Sequence, residues 1–238
     1  MQHRIVGIAV GRKEAAFTFF KAGKDGRSSA HSVRFLNSSD CKESAQAVIR
    51  SIEDCKSLFD GNPFEIGLLE LTGGYARNAD AYRRHLEHMK LHDSLANSLT
   101  EFTGKKPVLI NAREALMLLG LKGRVAEGRL SMSEMCEKQI DFGVDVSLSQ
   151  VLVDSWGCAI GLAGRRSLEG FKNNAELIEG LKKEAETEKT LRGLREGLLK
   201  AKTNFVTSEM QAVADSRLNL LIERRLQRKV IASVLGTQ

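Results

Sequence analysis

Apolar and polar positions alternate and cluster from Arg4 to about Phe20, in the run RIVGIAVGRKEAAFTFF, and the pattern breaks at Gly11-Arg12-Lys13. Period-two alternation on both sides of a glycine turn predicts a hairpin of two strands. After the turn-rich KAGKDGRSS, the segment HSVRFL predicts a third, antiparallel strand. Asn37 to Asp40 then offers N-cap chemistry for a helix through Leu58, with Ala47, Val48, Ser51, Ile52 and Cys55 on one face. Gly61-Asn62-Pro63 closes that unit, and FEIGLLEL reads as a short buried strand. A turn at Thr72-Gly73-Gly74 leads to helix from about Asn78 to Leu99, then a strand at residues 107–110 and helical AREALMLLGL.

Three strands, a helix, a strand, a helix and a strand describe a mixed α/β order, with an antiparallel N-terminal part and parallel later strands. After Ser131 the pattern becomes largely helical: EMCEKQIDFG precedes SLSQVLVDSWGCAIGLAG, where Val151, Asp154, Ser155 and Cys158 fall on one helical stripe. From about Arg165 the chain is charged and helical in period, predicting an extension of one to three helices. The expected organisation is an α/β domain over residues 1–164 and a basic helical extension over 165–238.

At 238 residues the chain can bury a substantial core without staples. Cys41, Cys55, Cys136 and Cys158 form no CxxC pair and read as reduced thiols. No apolar run reaches the length of a membrane span, and the N-terminus lacks a secretory h-region, so the expected location is the cytoplasm, or an organelle matrix after loss of a presequence. The net charge of +6 tilts the partner toward a polyanion. With aromatic residues at only 5%, a stacking platform for single strands is disfavoured and duplex or junction backbone is a better match.

Two carboxylates interrupt apolar runs. Glu70 ends the fourth strand between Leu69 and Leu71; Asp154 sits amid Val151, Leu152, Val153 and Trp156. Each is costly to bury unless a metal, a cation or hydrogen bonds meet it. Bland alternatives stand beside the functional ones: Glu70 could point to solvent or pair with a lysine, and Asp154-Ser155 could cap a helix. As a pair they offer the one or two carboxylates that Mg²⁺ takes. Arg12, Lys13, Arg77, Lys105, Lys106, Lys122 and Arg124 follow or bracket strands and are candidate phosphate contacts, against a reading as solvated charge. His85, His88 and His92 share a helical face, which the interleaved Arg83, Arg84, Glu87 and Lys90 mark as solvated. The glycines of GLKGRVAEGR have the spacing of neither a P-loop nor a dinucleotide loop.

The succession GIAVGRKEAAFTFF, LLELTGGYARNADAYRRHL, PVLINAREALMLLGLKGRVAEG and DSWGCAIGLAG resembles the RuvC-like branch of the ribonuclease H-like fold, over roughly residues 4–164. That branch holds Holliday-junction resolvases and the catalytic domains of transposases whose glutamate precedes Thr-Gly-Gly-Tyr, as Glu70 precedes Thr72 to Tyr75 here. The resemblance implies an aspartate on the first strand, a glutamate on the fourth and two acids three residues apart on the last helix, together holding two Mg²⁺ or Mn²⁺ ions for phosphodiester hydrolysis. Glu70 matches the glutamate and Asp154 the second acid of the terminal pair. Ala9 stands at the first aspartate's position and Val151 at that of the other acid. The resemblance also implies that Lys122 helps neutralise the scissile phosphate.

Two cations about 4 Å apart need several anionic ligands to offset their repulsion. If Ala9 is an engineered change, the chain is a metal-dependent endonuclease made inactive; with Val151 as well, the site reads as naturally impaired, unless Asp145 or Asp141 reaches in. The expected function is DNA binding of the resolvase or transposase type, by an active endonuclease or an inactivated form of one. The rival is a nuclease-dead scaffold acting through protein contacts. In the tail, Leu218, Leu221, Ile222, Leu226, Val230 and Val234 form a stripe among Arg217, Arg224, Arg225, Arg228 and Lys229. That helix could dock on its own domain, make a homodimer or contact phosphates.

Overall fold

The computed structural model describes residues 4–21, 28–34, 40–59, 64–71, 78–118, 121, 132–138, 140–141, 149–200 and 204–235. Strands β1 (Arg4–Val10) and β2 (Glu14–Lys21) form the hairpin expected around Gly11, and β3 (Ser28–Arg34) pairs antiparallel with β2. On the other side of β1 lie β4 (Glu65–Leu69) and β5 (Val108–Ile110), both parallel to it, giving the order β5-β4-β1-β2-β3-β6. The last of these, β6 (Ile140–Asp141), is two residues long and was not expected from the pattern. A strand that short has no period to read.

Helices α1 (Cys41–Asp54) and α2 (Ala79–Thr103) cover one face of the sheet, a short α3 (Ala112–Leu118), α4 (132–138) and the long α5 (Gln150–Lys172) the other. Local chemistry fixes where the long ones start. Asp40, Asn78 and Ser149 each accept a hydrogen bond from a backbone N–H of the first turn, a cap worth roughly 1 kcal/mol. α2 stops at Gly104, whose left-handed φ of 69° an L side chain rarely adopts. Residues 55–59 add a 3₁₀ turn where the notional first helix was expected to continue.

Two apolar cores result. On the α1/α2 face, Val6, Ile8, Phe17 and Phe19 meet Val48 and Ile52 of α1 and Leu91, Leu95 and Leu99 of α2. On the other, Ile5, Ala16 and Phe20 meet Leu152, Trp156, Cys158, Ala159 and Leu162 of α5. Strand alternation sorts the two sets. α5 lies unusually close to β1: a Cβ on Gly7 would stand 2.3 Å from the backbone nitrogen of Ala159 and 2.3 Å from the backbone oxygen of Ser155. At the same crossing the Ser155 hydroxyl donates to the Leu152 carbonyl at 2.8 Å, so the Thr18 hydroxyl donates to Ser155, also at 2.8 Å. Burial pushes the thiols of Cys136 and Cys158 up to about 12, which makes them inert packing groups.

The rest of the chain forms α6 (Ala175–Glu186), α7 (Lys189–Lys200) and α8 (Asn204–Leu235). Ala214, Leu218 and Leu221 pack on Ala185 and Leu191, whereas Val230, Val234 and Leu235 join the α5 core. The apolar stripe expected in the tail is therefore the seam by which α8 docks on its own chain. Arg217 and Arg225 are committed too, reaching Glu188 at 3.3 Å and 3.7 Å, and the exposed cations of that stretch are Arg224, Arg228 and Lys229.

Candidate functional site

The carboxyl ends of β1 and β4 and the first turns of α5 gather most of the described candidates. Ala9 is 2% exposed near the end of β1. Because Gly7 lies against α5 and Gly11 lies against Val151, alternation turns the Ala9 methyl to the α5 face as well. A Cβ on Gly11 would be 2.7 Å from Cγ2 of Val151, so hydrocarbon fills the space beside the β1 end. Asp154 lies one turn into α5, half-buried, accepting from Nε2 of Gln150 at 3.0 Å. The cap of α5 is Ser149, which removes the helix-capping reading of Asp154.

Glu70 follows β4 and continues its ladder, its backbone N–H donating to the Ile110 carbonyl at 2.9 Å. Leu69 packs on the α5 core, so Glu70 turns to the α2 side, where it lines a pocket of about 340 Å³ with His85, Met89, His92 and Leu109. Its carboxylate accepts from Nδ2 of Asn111 at 3.1 Å, while Oδ1 of Asn111 accepts from the N–H of Arg113 and so caps α3. Asn111 was not singled out in the sequence; a polar residue closing the VLI strand was the available signal.

α2 supplies another unforeseen feature. Nε2 of His88 donates to the Val10 carbonyl at 2.7 Å and Nε2 of His92 to the Leu69 carbonyl at 3.0 Å. The histidine face is thus not solvated as expected: His92 is 8% exposed, and both rings donate to the last carbonyls of β1 and β4. Burial lowers the His88 pKa from its ordinary 6.5, with the charges of His92, Arg12 and His85 adding to the effect and the Val10 hydrogen bond opposing it. The unfolded chain therefore takes up this proton first as pH falls, and stability is lost progressively below pH 6.5. A thermal-melt series from neutral to mildly acidic pH is expected to show that loss, and His88→Gln to flatten it in that window.

Arg12 and Lys13 are exposed in the β1–β2 turn, at the same end of the sheet as Glu70 and Asp154. Lys105 and Lys106 precede β5 and lie at the opposite end, beside Glu65 at the start of β4. Lys122, Arg77, Arg124 and Asp145 lie outside the described residues. Asp141 is on β6, three strands from β1, or roughly 14 Å at the usual strand spacing, so it does not complete a site at the end of β1.

The donor set does not fit a pair of divalent cations. Ala9 and Val151 offer no oxygen, Glu70 and Asp154 approach from opposite sides of the sheet end, and among the described residues no three Asp, Glu, His or Cys side chains form a ligand group. No hydrolytic step through metal can be derived from these residues.

An antiparallel meander extended by two strands parallel to its first, with helices on both faces, defines an α/β domain of the ribonuclease H-like fold, here carrying a helical C-terminal extension. Neither protein-family models nor curated proteins give a match. Among solved structures the chain is similar to T. thermophilus RuvC in complex with a Holliday junction substrate, at 10% identity and a TM-score of 0.45, over 66% of this chain and 91% of that one. It is also similar to a second Thermus thermophilus RuvC structure (15% identity, TM-score 0.47, 66% and 92% covered) and to the yeast mitochondrial Holliday junction resolvase Ydc2 (16%, 0.42, 67% and 77%). Among the described residues, no helix is long and apolar enough to cross a membrane.

Proposed function

We propose that this chain is a DNA-binding protein of the RuvC-like resolvase and transposase type in which the phosphodiester-cleaving centre is inactivated. The observation that carries the reading is the contact of Val151 with Gly11 beside the buried Ala9: apolar groups occupy both positions where the sequence resemblance calls for acids. Glu70 and Asp154 are what is left of that centre, and, lying on opposite sides of the sheet end, each alone would hold Mg²⁺ or Mn²⁺ only as a weak, largely hydrated ion. Lys122, which the resemblance sets beside the phosphate, keeps a binding role in this reading. Branched or duplex backbone is the ligand that an exposed Arg12-Lys13 pair at the sheet end would take.

Binding of a labelled four-way junction and a matched duplex, measured across salt concentrations, tests it. Replacing Arg12 and Lys13 by glutamine is expected to weaken binding and to lower the slope of log K against log salt by about 2, since each phosphate contact contributes ~0.9. Binding that ignores both salt and these substitutions would sink the reading. No metal-dependent cleavage by the unaltered chain is expected; its appearance would restore the active-enzyme reading.

One observation favours the scaffold alternative. Tyr82, Leu86 and Met89 follow one another at helical spacing along α2, 56%, 39% and 41% exposed, and Met89 shares a pocket with the 45% exposed Leu109 of edge strand β5. An apolar stripe of that kind is suited to a protein partner.

A further inference from the structure

At the amino end of β4 and β5, away from the proposed DNA-binding end, the surface folds into a cavity of about 560 Å³. Its walls are Phe64, Ile66, Phe102 and Val108, and its rim carries Lys56, Lys105, Lys106 and Arg166. The size falls in the range of small-molecule sites. The apolar walls belong to side chains anchored in the domain, since Phe64 and Phe102 pack against the α1/α2 core and the Phe64 ring meets Phe19 edge-on at 6.4 Å.

The charges at the rim are unequal in status. Arg166 is already held, its Nε on Glu65 at 2.8 Å and its Nη1 on Glu169 at 2.9 Å. Glu65, the one acid among the described lining residues, is used by that pair. Lys56, Lys105 and Lys106 form no ion pair with a described residue, so three lysines from two separate segments line one cavity with no counter-charge on them among the described residues. Holding like charges together is unfavourable unless an anion joins them, and each lysine is also a strong point-charge partner for phosphate. The loop that presents two of them is tied to α2, because the Thr103 hydroxyl accepts from the Lys105 N–H at 3.3 Å and lies within donating reach of the Leu99 carbonyl at 2.8 Å and the Lys105 carbonyl at 2.9 Å, and Gly104 closes α2.

We propose that this cavity binds a small organic phosphate of nucleotide size, its flat ring on the Phe64 and Phe102 wall and its phosphate among Lys56, Lys105 and Lys106. A nucleic-acid strand would need a groove that tracks its backbone, whereas these lysines gather about a single cavity beside Phe64 and Phe102. The proposal does not rest on the function proposed above, and it reassigns Lys105 and Lys106 from the DNA contact to a separate site.

Calorimetric titration of the full chain with AMP, with inorganic phosphate and with a short single-stranded oligonucleotide tests it. AMP is expected to bind, inorganic phosphate at least tenfold more weakly because it leaves the apolar wall empty, and Lys105→Gln/Lys106→Gln to weaken AMP by tenfold or more while leaving junction binding unchanged. The two lysines are exposed, so loss of folding is not an expected outcome; circular dichroism of the variant verifies that. Absence of AMP binding at millimolar concentration would overturn the proposal. So would AMP binding indifferent to the double variant, or oligonucleotide binding that the double variant abolishes while AMP does not bind.

Discussion

Gly7→Ala is expected to cost about 3 kcal/mol or more, the largest loss from a methyl added at any of the described glycines. A Cβ there would meet Ala159 N and Ser155 O at 2.3 Å and Ala159 Cα at 2.7 Å, and all three are backbone atoms. Backbone in a helix cannot rotate aside as a side chain does, so α5 as a whole must retreat from β1 and loosen both the core around Trp156 and the Thr18–Ser155 hydrogen bond. Overpacking relieved by side chains usually costs about 1–3 kcal/mol, which sets the lower side of the estimate. Gly67 supplies the internal control. It faces the same helix, but its added methyl would press on Cys158 Sγ at 3.1 Å and Leu162 Cδ2 at 3.3 Å, groups able to give by a few tenths of an ångström. Urea unfolding should rank Gly7→Ala well below Gly67→Ala; equal stabilities would mean that the close crossing of β1 and α5 is not what orders this core.

That crossing also shows what was legible in the sequence and what was not. The β1–β2 hairpin, α1 from Asp40, β4, α2 from Asn78, β5 and α3 all stand where period and capping residues put them, because each is a local consequence of residues within a few positions. The α5 stripe of Val151, Asp154, Ser155 and Cys158 was legible for the same reason, with Ser155 and Cys158 buried and Val151 and Asp154 half-buried. What escaped is the information carried between elements. Nothing local marks Gly7 as a contact point, since glycine in a strand signals a close neighbour without naming it. His88 and His92 looked solvated because their helical neighbours are charged, yet the middle of α2 crosses the carbonyls of Val10 and Leu69, which are 78 and 23 residues away in sequence. Lys105 and Lys106 flank a strand as expected, but parallel pairing of β5 with β4 sends them to the amino end of the sheet, away from Glu70. The site's acids were visible one by one; their divergence to opposite sides of the sheet depends on which face each strand position takes after the register is set.

Restoring one acid is therefore expected to fail, and to be costly. Ala9→Asp puts a carboxylate at a position 2% exposed, on the face that α5 covers and beside the Val151–Gly11 contact. Without a cation or donor to meet it, a buried carboxylate is either kept neutral by a raised pKa or paid for at several kcal/mol. The single variant should thus be destabilised by about 2–4 kcal/mol and stay inactive on four-way junction DNA with Mg²⁺ or Mn²⁺. Ala9→Asp/Val151→Asp differs in kind: it removes the hydrocarbon against Gly11 and adds a second oxygen donor three residues before Asp154, on the adjoining turn of α5. A divalent ion that binds only the folded double variant stabilises it by mass action, about 2.7 kcal/mol at a hundred times the dissociation constant. Thermal melts with and without Mg²⁺ should then show a metal-dependent rise for the double variant and none for Ala9→Asp. Cleavage gained by Ala9→Asp alone would show that Val151 is no obstacle and that the centre lacks one ligand only; a double variant with neither a metal response nor cleavage would show that the divergence of Glu70 from Asp154, and not the missing acids, keeps this sheet end from acting as a nuclease.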